Sequence, residues 1–359
     1  VGTGAVSTGS VPLLEVENLV TRYPIPRGLV GTLARRPKLR VHAVDGVSFT
    51  VRGGEMLALV GESGCGKTTT AQTVIRMLEP DGGSIRFRGT DITRYAARKL
   101  RPLRREMQII YQDPYESLDP RFTVRETVEE PLVIHGVGSG NEREGAVLEA
   151  LERAGLTPPE FYVRRYPHEL SGGQRQRVAI AASLVLNPKL LVADEPVSML
   201  DVSVRAGILE LLASLRRTGL GILMITHDLS TAAHYADRIA VMYLGRIVEV
   251  GPAHDVVRTP MHPYTRALIS VVPSRDPLTT TRPQILRGET PNPVYIPSGC
   301  RFHPRCPLAE PDCKSIDPAL RTASGRDHRA ACILVGEDDP QGDGDRGHGP
   351  ESPTATSLG

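Results

Sequence analysis

The stretch Gly61-Glu62-Ser63-Gly64-Cys65-Gly66-Lys67-Thr68-Thr69 constrains this chain more than any other. It follows an apolar run, Met56-Leu57-Ala58-Leu59-Val60, that predicts a buried strand, and it precedes Ala71 to Leu78, which predicts a helix. Strand, glycine-rich loop, Lys-Thr and helix in that order form a phosphate-binding loop in the context it requires. The glycines let successive backbone N–H groups turn inward around phosphate oxygens. The helix N-terminus adds a dipole favourable to an anion. Lys67 can reach β and γ phosphates, and the Thr68 hydroxyl can ligate Mg²⁺. Cys65 sits inside the loop, where its backbone matters more than its thiol.

A chain of 359 residues, 40% hydrophobic and 23% charged, has the composition of a globular protein with room for two or three domains, or for one large domain with additions. No stretch approaches the roughly 20 apolar residues that a membrane-spanning helix needs; the longest candidate, Val178 to Ala193, is broken by Asn187-Pro188-Lys189. Val1 to Ser10 carry neither the basic start nor the apolar centre of an export signal. The expectation is a cytoplasmic protein that reaches a membrane only by docking. A net charge of +2 gives no sign of a nucleic-acid partner. The charge is uneven, however. Arg22 to Arg40 holds six basic residues and no acidic one, and reads either as a solvated loop or as a contact for lipid headgroups or a partner.

Along the chain, 1–10 read as disordered. Leu13 to Val20 and Val47 to Val51 read as strands flanking a surface loop from Pro24 to Arg40. Ser84 to Gly89 adds a strand after an Asp-Gly-Gly turn, so the first third is partly antiparallel β. Ile109-Ile110-Tyr111-Gln112 is an apolar strand ending in an amide. A turn-rich segment follows, then a helical pattern from Val124 to Ala154 with a break at Gly136 to Gly140. Ser171 is an N-cap for a helix running to Leu186. Leu190 to Pro196 is a buried strand ending in the carboxylates Asp194 and Glu195, and Gly221 to Asp228 is another, ending at His227. Helices from Ser203 to Arg217 and Leu229 to Asp237 alternate with these strands, and Arg238 to Tyr243 and Ile247 to Val250 form a further strand pair. The alternation implies a mostly parallel α/β sheet with ligands at the strand C-terminal ends. Beyond Pro260 prolines become frequent, and four of the five cysteines follow. The expected division is a nucleotide-binding unit over 11–260 with a helical subdomain at about 113–170, a Cys-bearing extension over 261–335 and a disordered acidic tail over 336–359.

Over about 12–260 the motifs, in order, resemble those of an ATP-binding-cassette (ABC) ATPase. Besides the phosphate loop, Leu170-Ser171-Gly172-Gly173-Gln174 matches the family signature, Leu191 to Pro196 the Walker B strand and Gln112 the Q-loop glutamine. Ser198-Met199-Leu200-Asp201 matches the D-loop, with Met199 in place of the commoner alanine, and His227 matches the switch histidine. The resemblance implies a phosphate-loop NTPase fold with an antiparallel β subdomain, a helical subdomain and a small Cys-rich C-terminal domain. It implies that Thr68 and Gln112 ligate Mg²⁺, with Asp194 holding it through water. Glu195 would polarise the attacking water and His227 would contact the γ-phosphate. Tyr23 stands where the family places an aromatic ring against adenine. Ser171 to Gln174, with Asp201, would close over ATP held by a second cassette, so the chain would act as half of an ATP-sandwich dimer.

His262-Pro263-Tyr264-Thr265-Arg266-Ala267-Leu268 and Gly299-Cys300-Arg301-Phe302-His303-Pro304-Arg305-Cys306-Pro307 resemble the C-terminal extension of dipeptide/oligopeptide permease ATP-binding subunits. The insertion Pro24 to Arg40 resembles the second ATPase of such systems. The resemblance implies the energy-coupling ATPase of a peptide importer, peripheral on the cytoplasmic face of the membrane. Its partners would be a second ATPase subunit in a heterodimer, two permease subunits and an extracytoplasmic solute-binding protein. The segment from Asp113 to Glu130 would carry motion to the permeases. Cys300, Cys306, Cys313 and Cys332 are spaced C-x5-C-x6-C-x18-C. A reducing cytosol disfavours disulfides, and zinc sites show a tighter first pair. A [4Fe–4S] cluster is the favoured reading, with zinc and free thiols as alternatives; His303 and His328 could substitute as ligands but read rather as surface residues. Rival functions are an importer of nickel or another small solute, and a soluble cassette protein without transport. Against the latter stand the single phosphate loop and the absence of long heptads.

Overall fold

The computed structural model describes residues 11–26, 39–113, 118–271, 286, 288–322 and 327–335. The expectations of disorder at 1–10 and 336–359, most of the basic loop, and residues 114–117 of the segment after Gln112 lie outside the described residues.

The first third runs β1 (Leu14–Pro24), β2 (Arg40–Val51), β3 (Met56–Val60), α1 (Lys67–Val74), β4 (Gly82–Phe87) and β5 (Thr90–Asp91). Next come α2 (Ala97–Glu106), β6 (Met107–Ile110), α3 (Val124–His135), α4 (Gly140–Arg153) and α5 (Gly172–Leu184). The remainder is β7 (Leu190–Asp194), α6 (Val202–Arg217), β8 (Gly221–Thr226), α7 (Leu229–Tyr235), β9 (Arg238–Tyr243), β10 (Arg246–Pro252), α8 (Ala253–Arg258), α9 (Pro263–Ser270), β11 (Arg321–Thr322) and β12 (Arg329–Ala330).

These strands make an antiparallel sheet, β2-β1-β4-β5, and a mixed sheet, β11-β12-β10-β9-β3-β8-β7-β6. In the mixed sheet β9, β3, β8, β7 and β6 are parallel neighbours. Covered faces explain the unbroken apolar runs. Met56, Ala58, Val60, Leu191, Ala193, Ile222 and Met224 face one core, shared with α3 to α6. Their neighbours Leu57, Leu59, Leu190, Val192, Leu223 and Ile225 face another, under the antiparallel sheet.

Three elements differ from expectation. β2 starts at Arg40, not Val47, and its pairing with β1 slips register three times; such bulges erase the period-2 pattern that marks a strand. α1 starts at Lys67, because left-handed Gly66 turns the chain directly into a polar first turn that shows no apolar periodicity. α2 was not anticipated: it is mostly charged, holds Pro102 and buries only Leu100. The expected break between α3 and α4 is present, with Gly136 left-handed at the end of one and Ser139 before the other.

The extension shares the core and sheet of the rest. Tyr243 of β9 meets Tyr264 and Phe302 at ring-centroid distances of 4.8 and 5.2 Å. β12 pairs with β10 through Glu249 opposite Ala330 and Val250 opposite Arg329. Glu249 is wholly buried, and its carboxylate is satisfied. It accepts the N–H groups of Met261 and His262, both at 2.9 Å, and sits 2.7 Å from His328 Nε2. A buried carboxylate left without such partners would be costly.

Candidate functional site

The parallel order β3-β8-β7-β6 sets four strand ends side by side, and each delivers a side chain to the same edge. The loop after β3 supplies Lys67, buried, whose Nζ donates to the carbonyls of Gly61 at 2.7 Å and Glu62 at 3.0 Å. The Thr68 hydroxyl donates to Asp194 Oδ1 at the end of β7, at 3.2 Å. Gln112, beyond β6, donates through Nε2 to Glu195 Oε2 at 3.3 Å. His227, beyond β8, brings Nδ1 to 3.2 Å from that same oxygen.

Glu195 adopts φ +46°, unusual for a residue with a side chain. Its N–H bonds to the Ile225 carbonyl at 3.0 Å, while Ser198 donates from both its N–H and its hydroxyl to the Glu195 carbonyl, each at 3.1 Å. Burial pushes the Asp194 carboxyl above the usual carboxylate range, and the adjacent Glu195 charge adds to this against the pull of Thr68 and Lys67. The Asp194 and Glu195 carboxylates beside a threonine hydroxyl form an oxygen-rich set that suits a hard divalent cation.

The loop is gripped tightly. Gly66 has φ +106°, and a Cβ there would run into the Ala43 carbonyl oxygen. Ser63, Gly64 and Thr68 line the exposed rim, whereas Cys65 is buried and its thiol pushed up chiefly by desolvation, so it is unsuited to act as a nucleophile. The Tyr23 hydroxyl lies 3.5 Å from Thr69 Oγ1, with the ring partly exposed next to the loop.

The signature residues form a separate edge. Ser171 Oγ accepts from Gln174 N at 3.3 Å, and Gln174 Oε1 accepts from Ser171 N at 3.0 Å, a reciprocal cap on α5. Gly172 lies over Leu200, and a Cβ on Gly173 would overlap Val204. Asp201 precedes α6 without a side-chain cap bond, and Met199 beside it is exposed. Among the described residues no hydrogen bond or ion pair links Ser171, Gly172, Gly173, Gln174 or Asp201 to the Lys67 cluster.

The expected four-thiolate metal site is not formed as placed. Among the described residues, no group of three or more His, Cys, Asp or Glu side chains is arranged to hold a metal ion. Cys300, Cys306, Cys313 and Cys332 are all free. They are nonetheless neighbours: desolvation first, and then the proximity of the other three, pushes the Cys300 thiol up to about 11. Burial likewise raises Cys306 and Cys332. Neutral thiols have no attraction that would draw their sulfurs to ligand spacing. Neither histidine substitutes: His303 Nδ1 bonds to the Cys300 carbonyl, and His328, expected at the surface, is buried because it is committed to Glu249.

Sequence reasoning missed a set of residues from the extension that touch the phosphate loop. Arg305 reaches Glu62 with both Nη atoms, Thr290 donates to the same carboxylate, and the Tyr264 hydroxyl accepts the Glu62 N–H. These partners lie more than 200 positions away along the chain, where no periodicity or spacing rule operates.

The chain is similar to known proteins. Residues 44–198 match a family described as ABC transporter, and 248–313 one described as oligopeptide/dipeptide transporter, C-terminal region. The oligopeptide transport ATP-binding protein AppF of Bacillus subtilis is 45% identical over 326 residues, 90% of this chain and 97% of that protein. A solved dimeric post-hydrolysis structure of the ATP-binding cassette MJ0796, bound to ADP and Pi, superposes with a TM-score of 0.58 at 28% identity, covering 67% of this chain and 98% of that one. The structure of cbiO1 from Clostridium perfringens, part of the ABC transporter complex cbiONQ, gives 0.58 at 31% identity over 68% of this chain and 90% of its own.

Proposed function

The chain belongs to the ATP-binding-cassette ATPases of peptide importers, and from that premise we propose that the cluster at the ends of β3, β6, β7 and β8 binds and hydrolyses Mg-ATP to drive uptake. The observation that carries this reading is the contact chain Thr68–Asp194 and Gln112–Glu195–His227 beside a loop whose lysine is buried.

Lys67 exchanges its bonds to the loop's own carbonyls for phosphate oxygens, and the loop N–H groups and α1 N-terminus hold the rest of the anion. Thr68, Gln112 and Asp194 are the residues that would hold Mg²⁺, which supplies charge neutralisation at the phosphates. Glu195 Oε2 accepts the proton of the attacking water. Gln112 and His227 orient that oxygen, and the unusual backbone at Glu195 aims it beyond the strand end. Tyr23 packs on the adenine. Ser171, Gly172, Gly173 and Gln174, with Asp201, lie on an edge free to close over the nucleotide of a second cassette, so that ATP joins two subunits and its hydrolysis parts them.

In this reading the second subunit is a different ATPase, and the pair docks on two permease subunits served by an extracytoplasmic solute-binding protein. Docking supplies the membrane attachment on the cytoplasmic face; among the described residues no helix is long and apolar enough to cross a membrane. The cargo is a di- or oligopeptide.

Glu195→Gln is expected to keep ATP binding, to lower turnover by about 10²- to 10⁴-fold and to trap the closed dimer on size-exclusion chromatography. Lys67→Ala should lose binding itself. Wild-type turnover in either variant refutes the assignment.

The four thiols carry a separate part of the proposal: Cys300, Cys306, Cys313 and Cys332 are the residues that would hold a [4Fe–4S] cluster. Support comes from the donor chemistry and from backbone N–H groups of Phe302, Leu308 and Leu334 set to donate to the sulfurs. No step of hydrolysis passes through it. Protein purified without oxygen should be brown and contain iron; colourless, iron-free and folded protein refutes the cluster.

A further inference from the structure

We propose that Arg305, in the C-terminal extension, is a positioning residue of the ATP site: it neutralises Glu62 of the phosphate-binding loop, so that the loop meets the nucleotide without a competing negative charge. The inference rests on the phosphate-loop reading above and assigns part of that site to a segment more than 200 residues away.

Glu62 is the second residue of the loop, and its carbonyl is one of the two that Lys67 Nζ contacts. Its carboxylate also lies within electrostatic reach of Lys67. An unpaired carboxylate there opposes the binding of a triphosphate and competes for the lysine charge meant for it.

Arg305 removes that conflict. Nη1 lies 2.8 Å from Glu62 Oε2 and Nη2 3.1 Å from Oε1, a two-pronged pair that lysine cannot reproduce. The Arg305 side chain is only 9% exposed and its guanidinium lies 5.9 Å from the Tyr243 ring centroid, so solvent screens the pair weakly. Thr290 Oγ1 adds a bond to Glu62 Oε2 at 2.8 Å, and the Tyr264 hydroxyl takes the Glu62 N–H at 2.9 Å.

The guanidinium is held where it must be. The Arg305 N–H bonds to the Phe302 carbonyl at 3.0 Å, and Phe302 is in the core. Arg301, four residues earlier, donates to the Leu244 carbonyl at 2.7 Å and pairs with Asp45. Gly245, next to Leu244, donates in turn to the Cys65 carbonyl at 2.9 Å. The extension therefore grips the phosphate loop at Glu62 directly and at Cys65 through the β9–β10 turn.

The test is Mg-dependent binding of a fluorescent ATP analogue to the full chain, with steady-state ATPase alongside. Arg305→Ala is expected to weaken binding about 10-fold, raising KM much more than it lowers kcat. The deficit should shrink as ionic strength rises from about 0.05 to 0.5 M, because added salt screens the exposed Glu62 charge. Arg305→Lys, which keeps the charge, should retain most of the affinity. Adding Glu62→Gln to Arg305→Ala should recover most of the loss. Wild-type affinity in Arg305→Ala, or a double variant as weak as that single one, overturns the proposal; the second result would make Arg305 a scaffold only. Should Arg305→Ala fold poorly, Arg305→Gln with and without Glu62→Gln decides the same point. Lys67→Ala separates the two readings: if it binds as tightly as wild type, the ATP-site assignment itself has failed.

Discussion

Phe302 is the side chain that fastens the C-terminal extension to the nucleotide-binding core, and Phe302→Ala measures how firmly. Its ring is 1% exposed and lies 5.2 Å from the Tyr243 centroid, 5.4 Å from Tyr264 and 5.6 Å from His262. Truncating a buried phenylalanine costs about 3–5 kcal/mol, since transfer free energy is lost and a cavity remains. The edge and tilted ring contacts add about 0.5–1.5 kcal/mol each where they are optimal, but they overlap with the cavity cost and are not summed with it. A loss near 4 kcal/mol follows. The flanking Arg301 and Arg305 hold Asp45 and Glu62, so the loss should appear first as local release of the extension. Hydrogen exchange on the full chain should show faster exchange at 300–306 and 329–332, together with a urea midpoint shifted to lower concentration at unchanged slope. Exchange at wild-type rates with a loss below about 1 kcal/mol would refute the claim that this ring anchors the extension.

Two further outcomes follow from the packing. Burial pushes the His262 imidazole down to about 4, with Glu249 opposing and Arg266 adding to that shift. Its unfolded value is near 6.5, so the unfolded chain takes up a proton that the folded chain refuses. The stability tied to His262 is complete above about pH 6.5 and is lost as pH falls from there toward 4, at up to about 1.4 kcal/mol per pH unit. Urea denaturation between pH 7.5 and 5 checks this, and a midpoint independent of pH contradicts it. Gly66→Ala forces a side chain into φ +106° against the Ala43 carbonyl, where the left-handed backbone alone costs about 1–2 kcal/mol. Nucleotide binding should drop by more than about 10-fold while far-UV circular dichroism is kept, and wild-type binding would show that the loop can relax.

Local rules carried far wherever the chemistry is local. The run from Met56 to Thr69, the strand ending in Asp194 and Glu195 and the strand ending at His227 each declare a buried parallel strand with polar residues at its tip. Parallel order then brings those tips together. The Ser171 cap is equally local: donor and acceptor lie three residues apart. Failures came where the signal was weak or displaced. The β2 register slips hide its alternation, and α2 presents one buried leucine among charged residues. The four cysteines are spaced C-x5-C-x6-C-x18-C, yet ligand geometry depends on where the sulfurs point, and among the described residues they do not form a metal-holding group.

From the residues themselves came a phosphate loop and a strand ending in two carboxylates, because each is written within a dozen positions; the cassette architecture came from the family resemblance that the ordered motifs carry. Tertiary structure alone decided that the extension packs against the phosphate loop. Arg305 meets Glu62, and Tyr264 caps its N–H, across a gap of more than 200 residues. Such a pairing depends on the summed packing of β9, β10 and Phe302 rather than on any local preference of the chain.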